Sequence, residues 1–431
     1  MAAAAIVVLV VLLTAGKPRS RIPPLRRRAA ITCTEHWVGS WAASPSGVSI
    51  IQPLEDRTAR MIIAPHLGGS TLRVDLANRY AVAPVTLGPV TIGVRGSGAS
   101  LVPGSERAVT FAGRQSVTIQ PGASAVSDPI GLRFRAFQDL AISVYVPGAV
   151  KYPSEHFITR QTSYLSPRGS GDHAAATSGS AFAQKTTGMF STGWYFLDGL
   201  DVRAPGRTGA VVAFGDSITD GDQGKPRSGG EQLATIDTDG RYPDDLARRL
   251  IAAGIDLSVL NAGISGNQLL RSGLPLFGPS GLTRFAMDAL GQAGVTDVIV
   301  LEGINDIAHT PPATASELIA AYERLITQAH EAGVAIQLGT LTPTGGALSS
   351  AYAQAAAESV RDQVNQWIRT QRFSDGVVDF DAAVRDPADP SRILPAYNGG
   401  DSLHFDLAGY RALASAVDLA LLERPDCIQR P

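Results

Sequence analysis

The pattern of apolar and polar positions divides the 431-residue chain into two parts. Between residues 37 and 202, apolar and polar side chains alternate with a period of two, as at Leu72, Val74 and Leu76. Glycine, proline and serine turns separate these short runs, and such runs are typical of half-buried strands. This region is therefore predicted to form an all-β sandwich. Its other predicted strands are residues 90–94, 109–111, 117–119, 132–136, 142–146 and 194–202.

From residue 210 onward, short apolar runs alternate with longer segments of helical periodicity. The segment that begins at Pro243 shows the helical signals clearly, because aspartates occupy its first turn and Gly254 follows its end. The predicted helices are residues 243–253, 283–290, 314–332, 350–372 and 406–422. The predicted strands are residues 210–214, 257–260, 298–301, 335–341 and 377–380. This alternation predicts the α/β class, with a flavodoxin-like, doubly wound parallel sheet of five strands.

The same patterns predict three segments: residues 1–34, a β-sandwich domain at 35–205, and the α/β domain at 206–431. Residues 2–15 form an apolar run with the length of the hydrophobic part of a secretory signal. Basic residues follow this run instead of preceding it, so a segment that is not a simple cleaved signal stays a possibility. We expect a secreted or cell-envelope protein without a stable membrane span after processing. Cys33 and Cys427 could form one disulfide or remain two thiols.

Polar residues cluster directly after the predicted strands of the second part. Because the carboxyl ends of parallel strands lie on one edge of a sheet, these clusters are expected to converge. The four clusters are Gly215-Asp216-Ser217, Asn261-Ala262-Gly263-Ile264-Ser265-Gly266-Asn267, Glu302-Gly303-Ile304-Asn305-Asp306 and Asp401-Ser402-Leu403-His404.

The residue types in these clusters fit one reaction. A serine hydroxyl such as Ser217 needs a base to take its proton, and the imidazole of His404 can do so. Asp401 can orient that imidazole. The oxyanion formed from an attacked carbonyl needs donors, for which the backbone N–H groups of Ser217 and Gly263 and the side chain of Asn305 are candidates.

The other expectations concern partners and cofactors. Asp216 and Asp306 are expected to support the site, and no metal or cofactor is expected. The substrate is expected to be an ester. The formal net charge of −2 gives no basic field for nucleic acid, so we expect no nucleic-acid partner.

The four clusters resemble the conserved sequence blocks of the SGNH, or GDSL-type, hydrolases across residues 210–424. The resemblance implies that Ser217 is the nucleophile, that Gly263 and Asn305 complete the oxyanion hole, and that Asp401 and His404 complete the triad. It also implies an esterase or lipase acting through an acyl-enzyme on an acyl lipid, a small ester or an acetylated polysaccharide. Phe405 stands where many relatives carry proline. Residues 37–45 are similar to a two-domain branch of secreted bacterial and fungal members.

Several alternatives remain open at this point. Ser217 could be only a helix cap. Asp306 and His309 share the Asp-x-x-His spacing of Asp401 and His404, although the block pattern favours His404. Asp381 is interpreted as a cap or loop anchor. The remaining histidines are interpreted as surface or packing residues, and they are His36, His66, His156, His173 and His330.

Two other functions are also compatible with the sequence, and several segments are expected to surround the site. The chain could be an acyltransferase, or a carbohydrate-binding protein that uses Trp37 and Trp41 of the sandwich. Residues 222–241 and 269–281 are expected to border the cleft, and residues 166–184 are expected to form a mobile loop. Three aromatic residues could line an acyl pocket or pack in the core, and they are Tyr242, Phe277 and Phe285.

Overall fold

The structure, a computed structural model, describes residues 31–32, 34–186, 193–224, 236–422 and 427–428. The signal-like run at residues 2–15 lies outside these ranges. Cys33 lies outside them too, so its expected pairing with Cys427 falls outside the described residues. Across the ranges that are described, no helix combines the length and the apolar character needed to cross a bilayer.

Short strands build the first part of the chain. They are β1 (Ile31–Thr32), β2 (His36–Ala42), β3 (Gly47–Val48), β4 (Arg57–Ile63), β5 (Gly69–Ala77), β6 (Val85–Leu87), β7 (Val90–Val94), β8 (Arg107–Val109), β9 (Val117–Ile119), β10 (Ser124–Val126), β11 (Ile130–Phe134), β12 (Leu140–Val146), β13 (Ser154–His156), β14 (Ser163–Leu165), β15 (Gln184–Thr186), β16 (Trp194–Tyr195) and β17 (Leu197–Ala204). A short 3₁₀ helix covers Gly179–Ala181.

Two main sheets face each other in this part. One has the strand order β10-β5-β17-β2, with β11 also on β5, and the other has the order β15-β14-β4-β12-β7-β8. Alternate residues point into a shared core, including Met61 from one sheet and Val74 from the other. This arrangement confirms the predicted all-β sandwich, because each sheet buries its apolar face against the other.

The segment at residues 166–184, which was expected to form a mobile loop, makes several contacts with a buried arginine. The buried guanidinium of Arg60 donates hydrogen bonds to the carbonyl oxygens of Ala174 (3.3 Å) and Ala176 (2.6 Å). The same guanidinium lies 4.1 Å from the ring centroid of Phe182. The composition suggested mobility, but a buried cation requires acceptors, and this segment supplies them.

The second part alternates strands and helices. The strands are β18 (Gly209–Gly215), β19 (Leu257–Gly263), β20 (Val295–Leu301), β21 (Ala335–Gly339), β22 (Gly376–Val378), β23 (Arg385–Asp386), β24 (Asp389–Ile393) and β25 (Cys427–Ile428). The helices are α1 (Ser217–Asp220), α2 (Tyr242–Ala252), α3 (Gly281–Phe285), α4 (Ile304–Ile307), α5 (Ala315–Glu331), α6 (Ala355–Thr370), α7 (Phe380–Val384) and α8 (Leu407–Ala416). A π-helical turn at Ala286–Leu290 continues α3, and 3₁₀ turns cover Pro395–Tyr397 and Leu419–Leu421.

Five of these strands form a parallel sheet in the order β19-β18-β20-β21-β22. Numbered within the domain this order is 2-1-3-4-5, so the predicted flavodoxin-like sheet is confirmed. Val212 and Phe214 of β18 enter the core beneath α5 and α6, whereas Val211 and Ala213 enter the core beneath α2 and α8. Burial on both faces explains the unbroken apolar run of β18.

The order of the strands fixes where a crevice forms. From β18 the chain passes to β19 on one side, and it returns to β20 on the other side. The loops after β18 and β20 therefore diverge at the carboxyl edge, and ligands bind at such switch points in open α/β sheets.

The sequence located the long helices but misjudged several ends. The predicted helix at 406–422 ends at Ala416 in α8, and a separate 3₁₀ turn capped by Asp418 follows. The predicted helix at 350–372 begins only at Ala355. The short helices α1, α4 and α7 were not predicted, because four or five residues carry too little periodicity.

The two domains pack closely. Val38 of β2 belongs to the same apolar cluster as Leu260 of β19. His66 lies 2.7 Å from the Val259 carbonyl oxygen through Nδ1 and 2.9 Å from Asp244 Oδ1 through Nε2. His156 makes a second bridge, because its Nε2 lies 3.1 Å from Asp220 Oδ1. The boundary therefore combines an apolar patch with two buried histidine–carboxylate pairs.

Candidate active site

The site begins where β18 ends and α1 starts. A Cβ atom at Gly215 would lie 2.2 Å from the Leu301 carbonyl oxygen and 2.2 Å from Thr219 Oγ1, so only glycine fits this tight turn. Asp216 caps α1, since its side chain accepts a hydrogen bond of 2.9 Å from the Ile218 amide. Ser217 is the first residue of the helix, and its N–H therefore has no acceptor within the helix.

Three side chains from distant parts of the chain form a continuous line of hydrogen bonds. Ser217 Oγ lies 2.9 Å from His404 Nε2. His404 Nδ1 lies 2.7 Å from Asp401 Oδ2, and Asp401 Oδ1 accepts from the His404 amide at 2.9 Å. Because the carboxylate accepts from Nδ1, the neutral ring carries its proton there and leaves Nε2 free to accept. This is the arrangement in which a histidine can take the serine proton.

Burial and charge set the protonation of this line. Burial disfavours the charged form of His404, but the nearby Asp222 and Asp401 carboxylates outweigh burial and raise the pKa of His404 to about 9. Burial would raise the pKa of Asp401, but the hydrogen bond and charge of His404 outweigh it and lower the pKa to about 2. Asp401 is therefore ionised at neutral pH, and the imidazolium form of His404 is strongly stabilised.

The amide of Asn305 is held from both ends. Tyr352 donates its hydroxyl proton to Asn305 Oδ1 at 2.6 Å, and Asn305 Nδ2 donates to the Asn267 carbonyl oxygen at 2.7 Å. Burial first, and then the charges of Asp216 and Asp401, raise the pKa of Tyr352 to about 12, so its hydroxyl remains a donor. An amide nitrogen carries two hydrogens, which leaves one for a ligand.

The backbone N–H of Gly263, the third expected oxyanion donor, is already engaged in a hydrogen bond. Its N–H donates to Asn261 Oδ1 at 2.9 Å, and Asn261 Nδ2 donates to the Thr219 carbonyl oxygen at 2.9 Å. A Cβ atom at position 263 would lie 2.2 Å from the Asp220 amide nitrogen. Glycine is therefore required here by contact with α1, and its N–H would have to leave Asn261 to bind an oxyanion.

The two carboxylates expected to support the site are buried and act on the backbone. Asp306 accepts from the Leu269 and Leu270 amides at 2.7 and 2.9 Å. Burial raises the pKa of Asp306 to about 6, and burial likewise raises the pKa of Asp216 to about 7. Both residues shape the loops around Ser217.

Arg284 is a structural anchor that the sequence did not reveal. Its guanidinium donates to the Gly215 carbonyl oxygen at 2.8 Å and to the Ala262 carbonyl oxygen at 2.7 Å. It also pairs with Glu302 at 3.2 Å, where burial raises the pKa of the glutamate. Arg284 therefore links the carboxyl ends of β18 and β19 through these two carbonyl groups.

Two further residues near His404 were missed by sequence reasoning. Asp222, in the loop expected to border the cleft, places Oδ2 4.0 Å from His404 Nε2. Arg160 of the sandwich domain pairs with Asp222 Oδ1. No spacing signal could have revealed this contact, because 62 residues separate the two partners.

His309 and Asp381, the alternatives raised by the sequence, do not contact Ser217. His309 is exposed, and the acceptor near its Nδ1 is the Pro311 carbonyl oxygen at 3.4 Å. Asp381 lies within α7, whose cap is Asp379, so it is not the cap or loop anchor that was expected. It pairs with Arg361 and Arg369 of α6 and with Arg385, and it thereby ties the two helices together.

The interpretation of the other histidines as surface or packing residues was incomplete. His66 and His156 bridge the domains, and His330 Nε2 lies 2.9 Å from Asp375 Oδ2. Their carboxylate partners are far away in sequence, which is why the pattern along the chain could not identify them.

The aromatic candidates are mostly packing residues. Tyr242 and Phe285 are completely buried in the two cores of the α/β domain, and this excludes them from an open acyl pocket. Phe277 is 42% exposed. Trp41 packs edge-on against Trp194 at 4.7 Å between ring centroids.

Trp37 and Phe405 are also engaged. The guanidinium groups of Arg73 and Arg203 lie 4.6 and 5.4 Å from the ring centroid of Trp37. Phe405, which departs from the proline of the resembled family, is completely buried and contacts Tyr410 at 5.9 Å between ring centroids. It therefore packs beneath the His404 loop.

A cavity of about 260 Å³ opens beside His404. Apolar side chains of residues 347–348 and of Leu403 form much of its wall, and carboxylates lie near His404. Its lining residues are Asp222, Gly224, Ala347, Leu348, Ser349, Asp401, Leu403 and His404. Within the described ranges, no group of three histidine, cysteine or acidic side chains is arranged to hold a metal ion.

Residues 213–412 match the model of the GDSL-like lipase/acylhydrolase family. No curated protein was found to match the chain. A carbohydrate acetylesterase family member from Sinorhizobium meliloti is similar in structure, with 19% identity, a TM-score of 0.39, and coverage of 48% of this chain and 95% of that one. The native aryl esterase of M. smegmatis has 18% identity, a TM-score of 0.39 and coverage of 48% and 96%. A lipase/acylhydrolase from Enterococcus faecalis has 22% identity, a TM-score of 0.35 and coverage of 48% and 93%.

The fold, its carboxyl edge and the family match define the class of this protein as a carboxylic ester hydrolase. Residues 213–412 are assigned as a GDSL-like lipase/acylhydrolase domain by this match, and the strand order of the parallel sheet agrees with the SGNH type of hydrolase fold.

Proposed function

We propose that the chain hydrolyses carboxylic esters through an acyl-enzyme on Ser217, with His404 as general base and acid and Asp401 as its orienting partner. The observation that carries this proposal is the unbroken line of hydrogen bonds, 2.7 Å from Asp401 to His404 and 2.9 Å from His404 to Ser217. A neutral imidazole in this position activates a serine hydroxyl that is otherwise a weak nucleophile.

Acylation moves one proton twice. Ser217 Oγ forms a bond to the ester carbonyl carbon while its proton passes to His404 Nε2, and the carbonyl oxygen becomes an oxyanion. The bond from that carbon to the alcohol oxygen then breaks, and His404 returns the proton to the departing alcohol. The acyl group remains on Ser217, and the imidazole is neutral again.

The proposed oxyanion donors are the Ser217 N–H and the second amide hydrogen of Asn305, with the Gly263 N–H as a third. The first lies at a helix start, and the second belongs to an amide already oriented by Tyr352 and Asn267. The third requires exchange of the bond to Asn261. Each such donor is typically worth about 3 kcal/mol of barrier.

Deacylation repeats these steps with water. His404 takes a proton from water, whose oxygen attacks the acyl carbon, and the same proton then goes to Ser217 Oγ as its bond to the acyl group breaks. Hydrolysis therefore releases a free carboxylic acid. An acyltransferase would instead pass the acyl group to an alcohol, so product analysis with an added alcohol separates the two outcomes.

The cavity beside His404 is the proposed place for the alcohol portion of the ester, because His404 protonates that oxygen. Its volume of about 260 Å³ lies below the usual range for drug-sized ligands, about 300–1,000 Å³. Ala347, Leu348 and Leu403 favour an apolar alcohol. This supports small esters of apolar alcohols as first substrates to test.

The test compares hydrolysis of p-nitrophenyl acetate by wild-type protein and by Ser217→Ala, His404→Ala and His309→Ala. The first two variants should lose at least about 1,000-fold in kcat, because triad members act as a unit. His309→Ala should stay near wild type. Full activity of Ser217→Ala, or a greater loss in His309→Ala than in His404→Ala, would overturn the assignment.

A further inference from the structure

An arginine of the sandwich domain reaches the catalytic edge of the hydrolase domain. Arg160 lies between β13 and β14, with a φ of +50°, a left-handed conformation that is costly for a residue with a side chain. Its carbonyl oxygen accepts a hydrogen bond from the Asp237 amide at 3.2 Å, and Asp237 in turn accepts from Thr162. Contacts with the hydrolase domain thus hold Arg160 in this conformation, and its side chain is turned toward Asp222.

Asp222 connects this arginine to the catalytic histidine. Its Oδ1 pairs with the Arg160 guanidinium and accepts from the Gly224 amide at 3.1 Å. Its Oδ2 lies 4.0 Å from His404 Nε2, the nitrogen that faces Ser217. Its backbone carbonyl accepts from the Tyr410 hydroxyl, and its side chain is only 11% exposed. The carboxylate is therefore held with one oxygen on Arg160 and the other toward the ring.

We propose that Asp222 and Arg160 are positioning residues for His404, and that this ion pair across the domain boundary sets the charge at Nε2 and so the pH range of catalysis. The sandwich domain is then part of the catalytic site. This inference rests on the proposed function of Ser217 and His404.

The physical basis is the opposing effect of the two charges. A carboxylate about 4 Å from Nε2 stabilises the imidazolium that forms when the serine proton moves, but it also holds the resting ring in its protonated form. A protonated ring cannot act as the base. Arg160 offsets part of the Asp222 charge, so it should keep a larger fraction of His404 neutral.

Among the residues that the structure describes, few other charged or titratable groups face His404. Asp401 lies on its own loop, and Asp216 follows β18; together with Asp222 they raise the pKa of His404 to about 9 against the opposing effect of burial. The cavity wall at residues 347–349 carries no charged side chain. Burial raises the pKa of the hydroxyls of Tyr352 and Tyr410, which keeps both neutral.

The experiment measures kcat/KM for p-nitrophenyl acetate against pH in the full-length protein and its variants. Wild type should show an acid limb above the ordinary histidine pKa of about 6.5. Asp222→Asn should lower the apparent pKa of this acid limb by roughly one unit. At a pH on the limb, kcat/KM relative to its plateau value should then be about tenfold higher than in the wild type. Arg160→Gln should move the limb up by roughly half a unit or more. Arg160→Lys, which keeps the charge, should bring it back toward wild type.

The double variant, Arg160→Gln with Asp222→Asn, should resemble Asp222→Asn, because Arg160 acts through Asp222. Arg79→Gln is the matched control: Arg79 crosses the same boundary to Asp288 at 3.4 Å and also pairs with Asp198. It should leave the limb in place. Shifts of the two single variants in opposite directions cannot come from a general loss of folding.

The measured shifts decide whether Asp222 and Arg160 act on His404. Limbs that stay unmoved in both single variants, or that move in the same direction, would overturn the inference, and a shift in Arg79→Gln equal to that in Arg160→Gln would do the same. If one variant does not fold, the direction measured for the other still decides. Retained activity in Ser217→Ala would instead overturn the proposed function, so the two failures are distinguishable.

Discussion

The orientation of the Asn305 amide depends on single hydrogen bonds. An amide has a donor end and an acceptor end, and only the donor end can stabilise an oxyanion. Tyr352 binds the acceptor end at 2.6 Å, while the Asn267 carbonyl binds the donor end at 2.7 Å. Together they present the remaining amide hydrogen to a ligand without reorganisation, and preorganised donors contribute most to such catalysis.

Tyr352→Phe tests this residue directly. Loss of the hydroxyl should lower kcat by about tenfold with little change in KM, because the amide is less firmly oriented in the transition state. Steady-state kinetics on a short ester measures both constants. Tyr145→Phe is the control, since it removes a similar hydrogen bond, to Asp56 at 2.6 Å, in the sandwich domain. An equal fall in both variants, or a change confined to KM, would contradict the role of Tyr352.

Of the residues in the candidate site, the sequence revealed those that stand in polar clusters and no others. Ser217 and Asn305 were predicted because each follows a strand, and the geometry of a parallel sheet brings such positions together. His404 lies in a loop well beyond the last strand of that sheet, and it was predicted from its spacing to Asp401 and from the block pattern. Tyr352 and Asp222 lie in irregular segments with no distinguishing pattern. Their roles depend on where a loop folds back, and short-range rules do not determine this.

Among the elements, the turn from β18 into α1 is the most constrained. The chain leaves β18 with backbone atoms of β20 in direct contact, so Gly215 has no room for a side chain. The sequence predicted a sharp turn there from the glycine and the end of the apolar run. It did not predict α1, whose four residues place Ser217 at its start.

Gly215→Ala should destabilise the protein. The added methyl would lie 2.2 Å from the Leu301 carbonyl oxygen, so the turn must move, at a cost of roughly 1–3 kcal/mol in the free energy of unfolding. Urea unfolding measures this change. Gly148→Ala is the control, because a Cβ there meets nothing within 4 Å and the change should stay within about 0.5 kcal/mol. Equal stability of the two variants would contradict the steric argument.

The segment between β21 and α6 forms a wall of the cavity at its apolar side. Leu348 is 55% exposed and lines the cavity, while its backbone amide donates to the Asp401 carbonyl oxygen at 2.9 Å. A serine at position 348 keeps that backbone bond and removes only apolar contact. A substitution in this segment therefore tests substrate binding while the hydrogen bonds among Ser217, His404 and Asp401 stay intact.

Leu348→Ser should raise KM for aryl esters by roughly three- to tenfold and leave kcat nearly unchanged, because it removes binding that ground state and transition state share. Ile251→Ser is the control, since Ile251 is 49% exposed on α2 and lines no part of this cavity. A fall in kcat with KM unchanged would show that Leu348 does not bind the alcohol portion.

For the whole molecule, the domain boundary depends on buried charges as well as apolar contact. His66 places both ring nitrogens against acceptors of the hydrolase domain, Val259 at 2.7 Å and Asp244 at 2.9 Å. His156 joins the two domains, because its Nδ1 lies 2.7 Å from the Ser44 carbonyl oxygen of the sandwich and its Nε2 lies 3.1 Å from Asp220 Oδ1 of the hydrolase domain.

His66→Ala and His156→Ala should each lower the free energy of unfolding by roughly 3–5 kcal/mol, because each leaves a buried carboxylate without its partner. Equilibrium denaturation at pH 7 measures the loss. His309→Ala, at an exposed position, should change stability by less than about 0.5 kcal/mol. Losses below 1 kcal/mol in both interdomain variants would show that these pairs contribute little to the boundary.

The division into a sandwich and a doubly wound sheet could be predicted, because apolar periodicity reports which faces each element buries. The packing of one domain on the other could not. His156 and Asp220 are 64 residues apart, and His66 and Asp244 are 178 residues apart, with no local pattern that pairs them. The ion pair between Arg160 and Asp222 could not be predicted for the same reason.

The proposed roles of Ser217 as nucleophile and of His404 as its base are tested best by intact-protein mass spectrometry after treatment with a fluorophosphonate, followed by peptide mapping of the adduct. We expect one adduct on Ser217 in the wild type, none in Ser217→Ala, and much slower labelling of His404→Ala. An adduct on another residue, or unchanged labelling of Ser217→Ala, would contradict these roles.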